Sequence, residues 1–234
     1  MPIASLTELY AYWCGHSYEA INNLWGRDSA ISGSQGTFVS SASDGGVAWS
    51  TTWTWRGAPN NVKSFPYAGR QFSRGKKIAG IQGMPTCVEW DYTGDLKGMR
   101  ANVAYDIFTA TDPQHANSGG DFELMIWLGR YGDVCPIGSS AGCVKVAGRN
   151  WDLWVGYNGQ MKVYSFLPPA GAGAIKSFSA DVREFFRYLE ECHQFPASQQ
   201  NLIVFQAGTE CFTGGPATFT CSRFSADVID AECQ

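Results

Sequence analysis

Trp151-Asp-Leu-Trp-Val-Gly-Tyr157 and Gln160-Met-Lys-Val-Tyr-Ser-Phe166 are two alternating runs that flank the dipeptide Asn158-Gly159. Asn-Gly between alternating runs is the strongest short-range signal of a β-hairpin, because both residues tolerate the positive φ that a tight turn requires. Similar runs recur about every 10–12 residues, separated by Gly, Pro, Asn or Ser, which is typical of β-sandwiches and barrels. The pattern therefore predicts an all-β protein.

Four further runs are predicted to be strands, and one of them has an unusual composition. They cover residues 47–55, 101–108, 121–128 and 201–206. Because successive side chains of a strand point to opposite faces, Glu123, Met125 and Trp127 are expected to share one face of the third run. The other face of that run is entirely apolar and is predicted to lie in the core.

Residues 179–192 have a different periodicity, which predicts the one helix of the chain. Their apolar side chains follow the i, i+3, i+4, i+7 spacing of an amphipathic helix. Ser179 is the expected N-cap, and Asp181 is favourable in the first turn. The apolar positions are Val182, Phe185, Phe186 and Leu189.

The composition is poor in charge and rich in aromatic residues. Charged residues make up 16% of the 234 residues and aromatic residues 14%, and the formal net charge is −4. A negative chain argues against a nucleic-acid partner, and no run approaches the ~18 apolar residues of a membrane span. With no linker, repeat or appended carbohydrate-binding module in view, we expect residues 1–234 to form a single domain.

Eight cysteines suggest disulfides and therefore a secreted, extracellular protein. Cys135 and Cys143 bracket a turn-rich loop, and a disulfide across it is one hypothesis. A disulfide between Cys192 and Cys233 is another hypothesis. Both stay open, because the spacing of cysteines does not fix their connectivity. No CxxC pair occurs and the three histidines are scattered, so neither a metal site nor another cofactor is expected.

Three carboxylic acids are the candidates for chemistry. Glu123 lies in the middle of an apolar strand, where a carboxylate is costly unless a cleft solvates it or a partner binds it. Asp106 lies in a similar setting, and Glu210 lies among Gly and Thr residues that leave room for a ligand. A buried structural acid at Glu123 and an exposed loop acid at Glu210 are the alternatives. Carboxylates beside aromatic rings are the groups that a glycosidase uses.

Two segments carry a specific resemblance. Glu123-Leu-Met-Ile-Trp127 resembles the nucleophile motif of glycoside hydrolase family 12, and Gly208-Thr-Glu-Cys-Phe-Thr-Gly214 resembles its acid/base motif. The resemblance runs in order from about Leu9 to Val228 and is greatest to fungal endo-β-1,4-glucanases of the family. Further similar segments are Asn22-Asn-Leu-Trp-Gly26, Val103-Ala-Tyr-Asp-Ile-Phe108, residues 151–159 and Val163-Tyr-Ser-Phe166.

The resemblance implies a β-jelly-roll sandwich of two curved antiparallel sheets, with one α-helix and an open substrate cleft on the concave face. It implies retaining chemistry in which Glu123 is the nucleophile and Glu210 the general acid/base. Asp106 would lie against Glu123 and, if protonated, would donate a hydrogen bond to it. Trp25 would stack on a glucose on the non-reducing side. The other implied substrate-binding residues are Asn23, Met125, Trp127, Pro136 and Asn158.

The implied substrate is a cellulose-like or mixed-linkage β-glucan, bound by a monomer. A xyloglucan-specific endo-β-1,4-glucanase is an alternative, because the family contains both and the shape of the cleft decides between them. A non-catalytic carbohydrate-binding jelly roll is a third reading, but such a protein need not keep both Glu123 and Glu210. Cys211, directly after the implied acid/base, is expected to act as a small buried hydrophobic residue.

Overall fold

The protein is built almost entirely from β-strands. The structure is a computed structural model that describes residues 1–116 and 119–231. Within these residues there are 17 strands, the helix α1 (Arg183–His193) and short 3-10 helices at Arg27–Ser29 and Ile78–Gly80. The strands are β1 (Ala4–Leu6), β2 (Tyr12–Gly15), β3 (Tyr18–Ile21), β4 (Ser32–Ser43), β5 (Gly46–Arg56), β6 (Tyr67–Arg70), β7 (Ile81–Gly83), β8 (Pro85–Gly94), β9 (Arg100–Ala110), β10 (Phe122–Tyr131), β11 (Ser139–Val146), β12 (Arg149–Asn158), β13 (Met161–Leu167), β14 (Ser177–Asp181), β15 (Asn201–Gly208), β16 (Cys211–Ala226) and β17 (Ile229–Asp230).

Fifteen of these strands form two sheets that share β16. Sheet A has the order β1-β4-β5-β16-β8-β14. Sheet B has the order β2-β3-β6-β15-β9-β10-β13-β12-β11. The start of β16 pairs with β9 of sheet B, and the rest of β16 lies between β5 and β8 of sheet A. The described pairs are antiparallel except β10 with β13. This architecture confirms the predicted jelly-roll fold class.

The main core lies between the two sheets and is rich in aromatic rings. Trp49, Trp53 and Trp55 all point from one face of β5 into it and are at most 4% exposed. The ring centroids of Trp49 and Phe219 are 5.2 Å apart. Each large apolar side chain contributes about 1.5–3 kcal/mol to folding by leaving water. The strong alternation along β5 therefore fixes which of its faces is inside.

The predicted hairpin is present between β12 and β13. Asn158 and Met161 are the last paired residues on either side of the turn. Gly159 has φ +63, a left-handed conformation that glycine adopts without steric cost. The structure therefore confirms the interpretation of this segment.

The helix begins later than the sequence pattern predicts. Residues 177–181 form β14, and Ser179 pairs with Cys87 of β8, so Ser179 is not the N-cap. Instead of Ser179, the side chain of Asp181 supplies a hydrogen-bond acceptor at the start of the helix: it accepts the backbone N–H of Arg183 at 2.9 Å. The predicted apolar face is correct, since Val182, Phe185, Phe186 and Leu189 are buried. No helix in the described ranges is long and apolar enough to cross a membrane.

The seven cysteines within the described residues are all free thiols. The predicted disulfide between Cys135 and Cys143 is therefore wrong: both side chains are exposed, and the Cys135 thiol lies 3.9 Å from the carbonyl oxygen of Asp133. Cys192 is also free, and its hypothesised partner Cys233 lies outside the described residues. Cys211 is fully buried, as predicted.

Candidate active site

One face of sheet B carries the predicted acids. The strand register places Gln206 opposite Asp106, Asp106 opposite Met125, and Met125 opposite Ser165. Side chains at paired positions lie on the same face of a sheet. Glu123 lies two residues before Met125 and therefore shares that face. We call this surface the cleft face.

Asp106 and Glu123 form a buried pair of carboxyl groups, each 8% exposed. The two carboxyl groups lie close enough to share a hydrogen bond, which requires one of them to carry a proton. Burial raises the pKa of Asp106 well above its usual range, and the negative charges of Glu123 and Glu210 raise it further. Burial raises the pKa of Glu123 to about 7, although the hydrogen bond from Asp106 opposes that rise. Asp106 is therefore the protonated donor and Glu123 the carboxylate.

Glu210 lies between β15 and β16 and contacts Asn102 of β9. The side-chain oxygen of Asn102 accepts the backbone N–H of Glu210 at 2.9 Å, and its side-chain nitrogen donates to the Glu210 carboxylate. Burial and the charge of Glu123 raise the pKa of Glu210 to about 7, although the hydrogen bond from Asn102 opposes the shift. Glu210 is thus protonated in weakly acidic water, where an ordinary glutamic acid is ionised.

A chain of buried polar side chains supports Asn102. The hydroxyl of Thr209 donates to the backbone carbonyl of Asn102. The hydroxyl of Tyr92 lies 2.8 Å from that of Thr209, and the indole nitrogen of Trp53 donates to Tyr92 at 3.0 Å. Satisfied buried networks of this kind hold their members in one arrangement. The core of sheet A thereby fixes the position of Glu210.

Trp25 is an exposed indole ring on a rigid segment. It is 56% exposed. The next residue is glycine by necessity, because a Cβ at Gly26 would lie 2.0 Å from the carbonyl oxygen of Val62. Asn23, in the left-handed region with φ +46, donates its side-chain amide to the carbonyl of Phe65 at 2.9 Å. The backbone that carries the exposed ring is therefore held in place.

Residues 62–66 connect the Trp25 segment to the strand that follows Glu210. The backbone N–H of Lys63 donates to Cys211 at 2.8 Å, and its carbonyl accepts from Gly26 at 3.0 Å. The side chain of Lys63 is fully buried, and burial lowers its pKa. Its ammonium group donates to three backbone carbonyl oxygens, those of Ala58, Asn61 and Phe212.

Two of the predicted sugar-contacting residues are buried. Met125 and Trp127 are 6% and 2% exposed and form a small apolar cluster with neighbours that include Val134 and Phe212. Trp127, one of the implied substrate-binding residues, offers little surface to a ligand, because it is only 2% exposed. The packing instead makes Trp127 part of the layer that supports the acids.

The remaining predicted residues lie on the loops and strand ends around sheet B. Pro136 is buried in the segment between β10 and β11, and Asn158 is exposed at the end of β12. Within the part of the chain that the structure describes, no group of three or more His, Cys, Asp or Glu side chains is placed to hold a metal ion.

Sequence reasoning missed Asn102 as a partner of Glu210. The alternation of β9 already puts Asn102 on the same face as Asp106, so a signal existed. What the pattern does not reveal is that Glu210, more than a hundred residues later, arrives beside it. That contact depends on the pairing of the start of β16 with β9.

A sequence model described as Glycosyl hydrolase family 12 matches residues 16–229. The chain is 44% identical over 215 residues to Endoglucanase A of Aspergillus kawachii, covering 90% of this chain and 87% of that protein. It is 43% identical over 212 residues to a xyloglucan-specific endo-beta-1,4-glucanase A of Emericella nidulans, covering 88% and 84%.

The fold is similar to a crystal structure of the catalytic domain of Humicola grisea Cel12A in complex with a soaked thio cellotetraose. The TM-score is 0.93 at 59% sequence identity, and the similarity covers 97% of this chain and 99% of that chain. The similarity therefore extends over both sheets and the cleft face.

Proposed function

Because the chain belongs to glycosyl hydrolase family 12, in which it is a retaining endo-β-1,4-glucanase, we propose that Glu123 is its nucleophile and Glu210 its general acid/base. Asp106 is proposed to assist Glu123. Trp25 is proposed to bind a glucosyl unit by stacking, with Asn23, Pro136 and Asn158 around the substrate and the buried Met125 and Trp127 beneath it.

The observation that carries the assignment is the different hydrogen bonding of the two glutamates. Glu123 accepts a hydrogen bond from protonated Asp106, which favours its charged form. Glu210 is buried within reach of the charge on Glu123, and this raises its pKa to about 7. The pKa of Glu123 is also raised to about 7, and close carboxyl groups avoid ionising together. The hydrogen bond from Asp106, which Glu123 receives, therefore favours the charge on Glu123 and the proton on Glu210. A retaining glycosidase needs this combination of one carboxylate and one carboxylic acid.

The reaction then proceeds in two displacements. In the first, a Glu123 oxygen bonds to the anomeric carbon while the bond from that carbon to the bridging oxygen breaks, and Glu210 gives its proton to the leaving oxygen. In the second, Glu210 takes a proton from water, the water oxygen bonds to the anomeric carbon, and Glu123 leaves. Two inversions at one carbon give net retention.

The proposed substrate is the unbranched or mixed-linkage β-1,4-glucan chain. Glucose rings have apolar faces that stack on aromatic side chains, and Trp25 offers such a ring. Xyloglucan is the second candidate, because the relative from Emericella nidulans that bears that specificity in its name is nearly as similar as the endoglucanase from Aspergillus kawachii. Since a polymeric substrate does not cross membranes, we propose that the protein acts outside the cell. We also propose that it acts as a monomer.

The test is reducing-sugar release from carboxymethyl-cellulose, barley β-glucan and xyloglucan, with the anomeric form of the first product read by NMR. We expect the β-anomer, and we expect Glu123→Gln to lose activity by about a thousandfold or more. Glu184→Gln, at an exposed acid of α1, is the matched control and keeps wild-type activity. An active Glu123→Gln variant, or an α-anomer as first product, overturns the assignment.

The Glu210→Ala variant tests the general acid/base role of Glu210 independently of the nucleophile. Without an acid, substrates with a poor leaving group should react slowly, whereas aryl glycosides with acidic phenols should form the covalent intermediate at near wild-type rates. Azide, which needs no general base, should then restore turnover. A Glu210→Ala variant that azide does not accelerate would contradict the acid/base role.

A further inference from the structure

Lys63 is a buried cation that the proposed reaction does not use. Its side chain is fully buried, and its ammonium group donates to the carbonyl oxygens of Ala58 and Asn61 at 2.7 Å and to that of Phe212 at 3.2 Å. Within residues 1–116 and 119–231, no carboxylate lies within ion-pair distance of it. A lysine ammonium has three N–H donors, so the three carbonyl groups use all of them.

The three carbonyl oxygens around the ammonium point their negative ends at the same place. Without the cation these dipoles would repel one another, and the carbonyl groups would lose their donors. Hydrogen bonds from a charged donor are about twice as strong as neutral ones. The ammonium therefore draws the loop that contains Ala58 and Asn61 towards the strand that contains Phe212.

This loop needs such a tether. Ala58 lies in the left-handed region with φ +41, a conformation that a residue with a Cβ adopts at a cost in free energy. The loop also accepts hydrogen bonds from Arg100: Nε donates to the carbonyl of Pro59 at 3.0 Å, and the guanidinium donates to the side chain of Asn60 at 3.1 Å. Arg100 lies at the start of β9, which pairs with the start of β16. The loop is thus connected to the beginning of β16 in two ways.

Phe212 lies two residues after Glu210, so its placement affects the acid/base. Phe212 is 8% exposed and packs in the small apolar cluster that also contains Met125. The backbone N–H of Cys211, the residue between Glu210 and Phe212, donates to the carbonyl of Ser64 at 3.0 Å. Together with the bond from the ammonium to the Phe212 carbonyl, this contact fixes the backbone that leaves Glu210.

Lys63 also connects this strand to the segment that carries Trp25. Its backbone carbonyl accepts the N–H of Gly26 at 3.0 Å, and its backbone N–H donates to Cys211 at 2.8 Å. One residue therefore contacts the Trp25 segment with its backbone, and the strand after Glu210 with both its backbone and its ammonium group.

We propose that Lys63 is a positioning residue whose ammonium group holds Glu210 where its proton reaches the leaving oxygen. Because Lys63 is fully buried, it touches neither the substrate nor the reacting atoms and acts through the Phe212 carbonyl. The inference rests on the proposed function, in which Glu210 is the general acid. A shift of about 1 Å in a catalytic group can cost on the order of 100-fold in rate.

The test compares two substrates that differ only in the leaving group. Phenyl β-cellobioside has a poor leaving group and depends on the proton of Glu210, whereas 2,4-dinitrophenyl β-cellobioside releases an acidic phenol and does not. Since kcat/KM reports the first displacement, Lys63→Met is expected to lower it about 10- to 100-fold for the phenyl substrate and less than about 3-fold for the dinitrophenyl substrate. A merely structural role would lower both values equally.

Lys145→Met, at an exposed position of β11, is the matched control and is expected to keep the wild-type kcat/KM for both substrates. Rates are measured below the temperature at which any variant begins to unfold. If Lys63→Met does not fold, Lys63→Gln, whose amide still donates hydrogen bonds, carries the same prediction with a smaller loss.

An equal loss for the two substrates, or no loss for either, overturns the positioning role of Lys63. If Glu210→Ala also fails to discriminate between the phenyl and the dinitrophenyl substrate, the proposed function itself fails. The two failures are therefore distinguishable in the same assay.

Discussion

Asn102 and Glu210 are joined by three hydrogen bonds. The backbone N–H of Asn102 donates to the carbonyl of Glu210 at 3.1 Å, and the Asn102 side chain both accepts from the Glu210 backbone and donates to its carboxylate. Only the last of these bonds depends on the charge of Glu210. Asn102 therefore positions the acid and also limits how far burial raises its pKa.

Replacing Asn102 by alanine should move the basic limb of the pH profile. The donated hydrogen bond stabilises the Glu210 carboxylate, so its loss raises the Glu210 pKa above about 7. We expect the basic limb of kcat/KM to shift to higher pH by about 0.5–1 unit. The maximal rate should fall roughly 10- to 100-fold, because the proton donor is less well placed.

Asn150→Ala, at an exposed position of β12, provides the control for the loss of an asparagine side chain. Initial rates on β-glucan between pH 3 and pH 9, expressed as kcat/KM, measure both limbs. A basic limb that stays in place in Asn102→Ala would show that Asn102 does not act on the charge of Glu210.

Two substitutions of Asp106 should distinguish the loss of its hydrogen bond to Glu123 from the loss of its carboxyl group. Asparagine still offers an N–H to Glu123, whereas alanine offers none. Because the Asp106 hydrogen bond lowers the pKa of Glu123, Asp106→Ala should raise that pKa and shift the acidic limb of kcat/KM to higher pH. Asp106→Asn should leave the acidic limb close to that of the wild type.

The same pH series on the wild type and both variants measures this limb. The comparison between asparagine and alanine is internal, since both remove the Asp106 proton. Equal shifts in the two variants would argue that the hydrogen bond to Glu123 does not set the ionisation of the nucleophile.

Much of the fold follows from alternation along single strands. The Asn-Gly turn predicts the β12–β13 hairpin, and alternation along β5 puts Trp49 and Trp53 on one face, which the structure shows to be the core side of sheet A. Glu123 could be found in the same way, since a carboxylate in an apolar strand has a clear desolvation cost. These signals lie within single strands, so they do not depend on which other strands pair with them.

The other parts of the site depend on pairing between distant strands. Asn102 meets Glu210 only because β16 starts beside β9. No periodicity within one strand encodes such a register. The cysteines show the same limit, because the short spacing between Cys135 and Cys143 does not bring their thiols together.

Thiol labelling should divide the cysteines by burial. Iodoacetamide at pH 8 is expected to modify the exposed thiols of the native protein quickly. Cys211 and Cys221 should react only after unfolding, because burial raises the pKa of Cys211 to about 12 and raises that of Cys221 as well. The exposed thiols are Cys14, Cys135, Cys143 and Cys192.

Peptide mass spectrometry after labelling, with and without prior reduction, measures this division. Reduction should not increase the labelling of Cys135 or Cys143. An increase at those two positions would reveal a bridge between them, and rapid labelling of native Cys211 would show that the segment after Glu210 opens.

The raised pKa of Glu210 also makes the stability of the protein depend on pH. In the unfolded chain the group ionises near its ordinary pKa of 4.5, whereas in the folded protein it ionises near about 7. Between these values the folded state binds more protons than the unfolded state, so the free energy of unfolding decreases as pH rises. Glu210→Gln stays neutral throughout and removes this contribution. Between pH 4 and pH 8, the free energy of unfolding of the variant should therefore rise relative to that of the wild type by on the order of 1–3 kcal/mol.

Urea unfolding at a series of pH values measures the difference, provided that the m-values of the two proteins agree. Asp106 has a raised pKa of the same sign and is still present in Glu210→Gln, so the pH dependence should become weaker without vanishing. Glu184→Gln, which removes an exposed carboxylate, should run parallel to the wild type. If the pH dependence of Glu210→Gln also runs parallel to that of the wild type, then Glu210 is not protonated in the folded protein near neutral pH. That result would contradict its role as the proton donor.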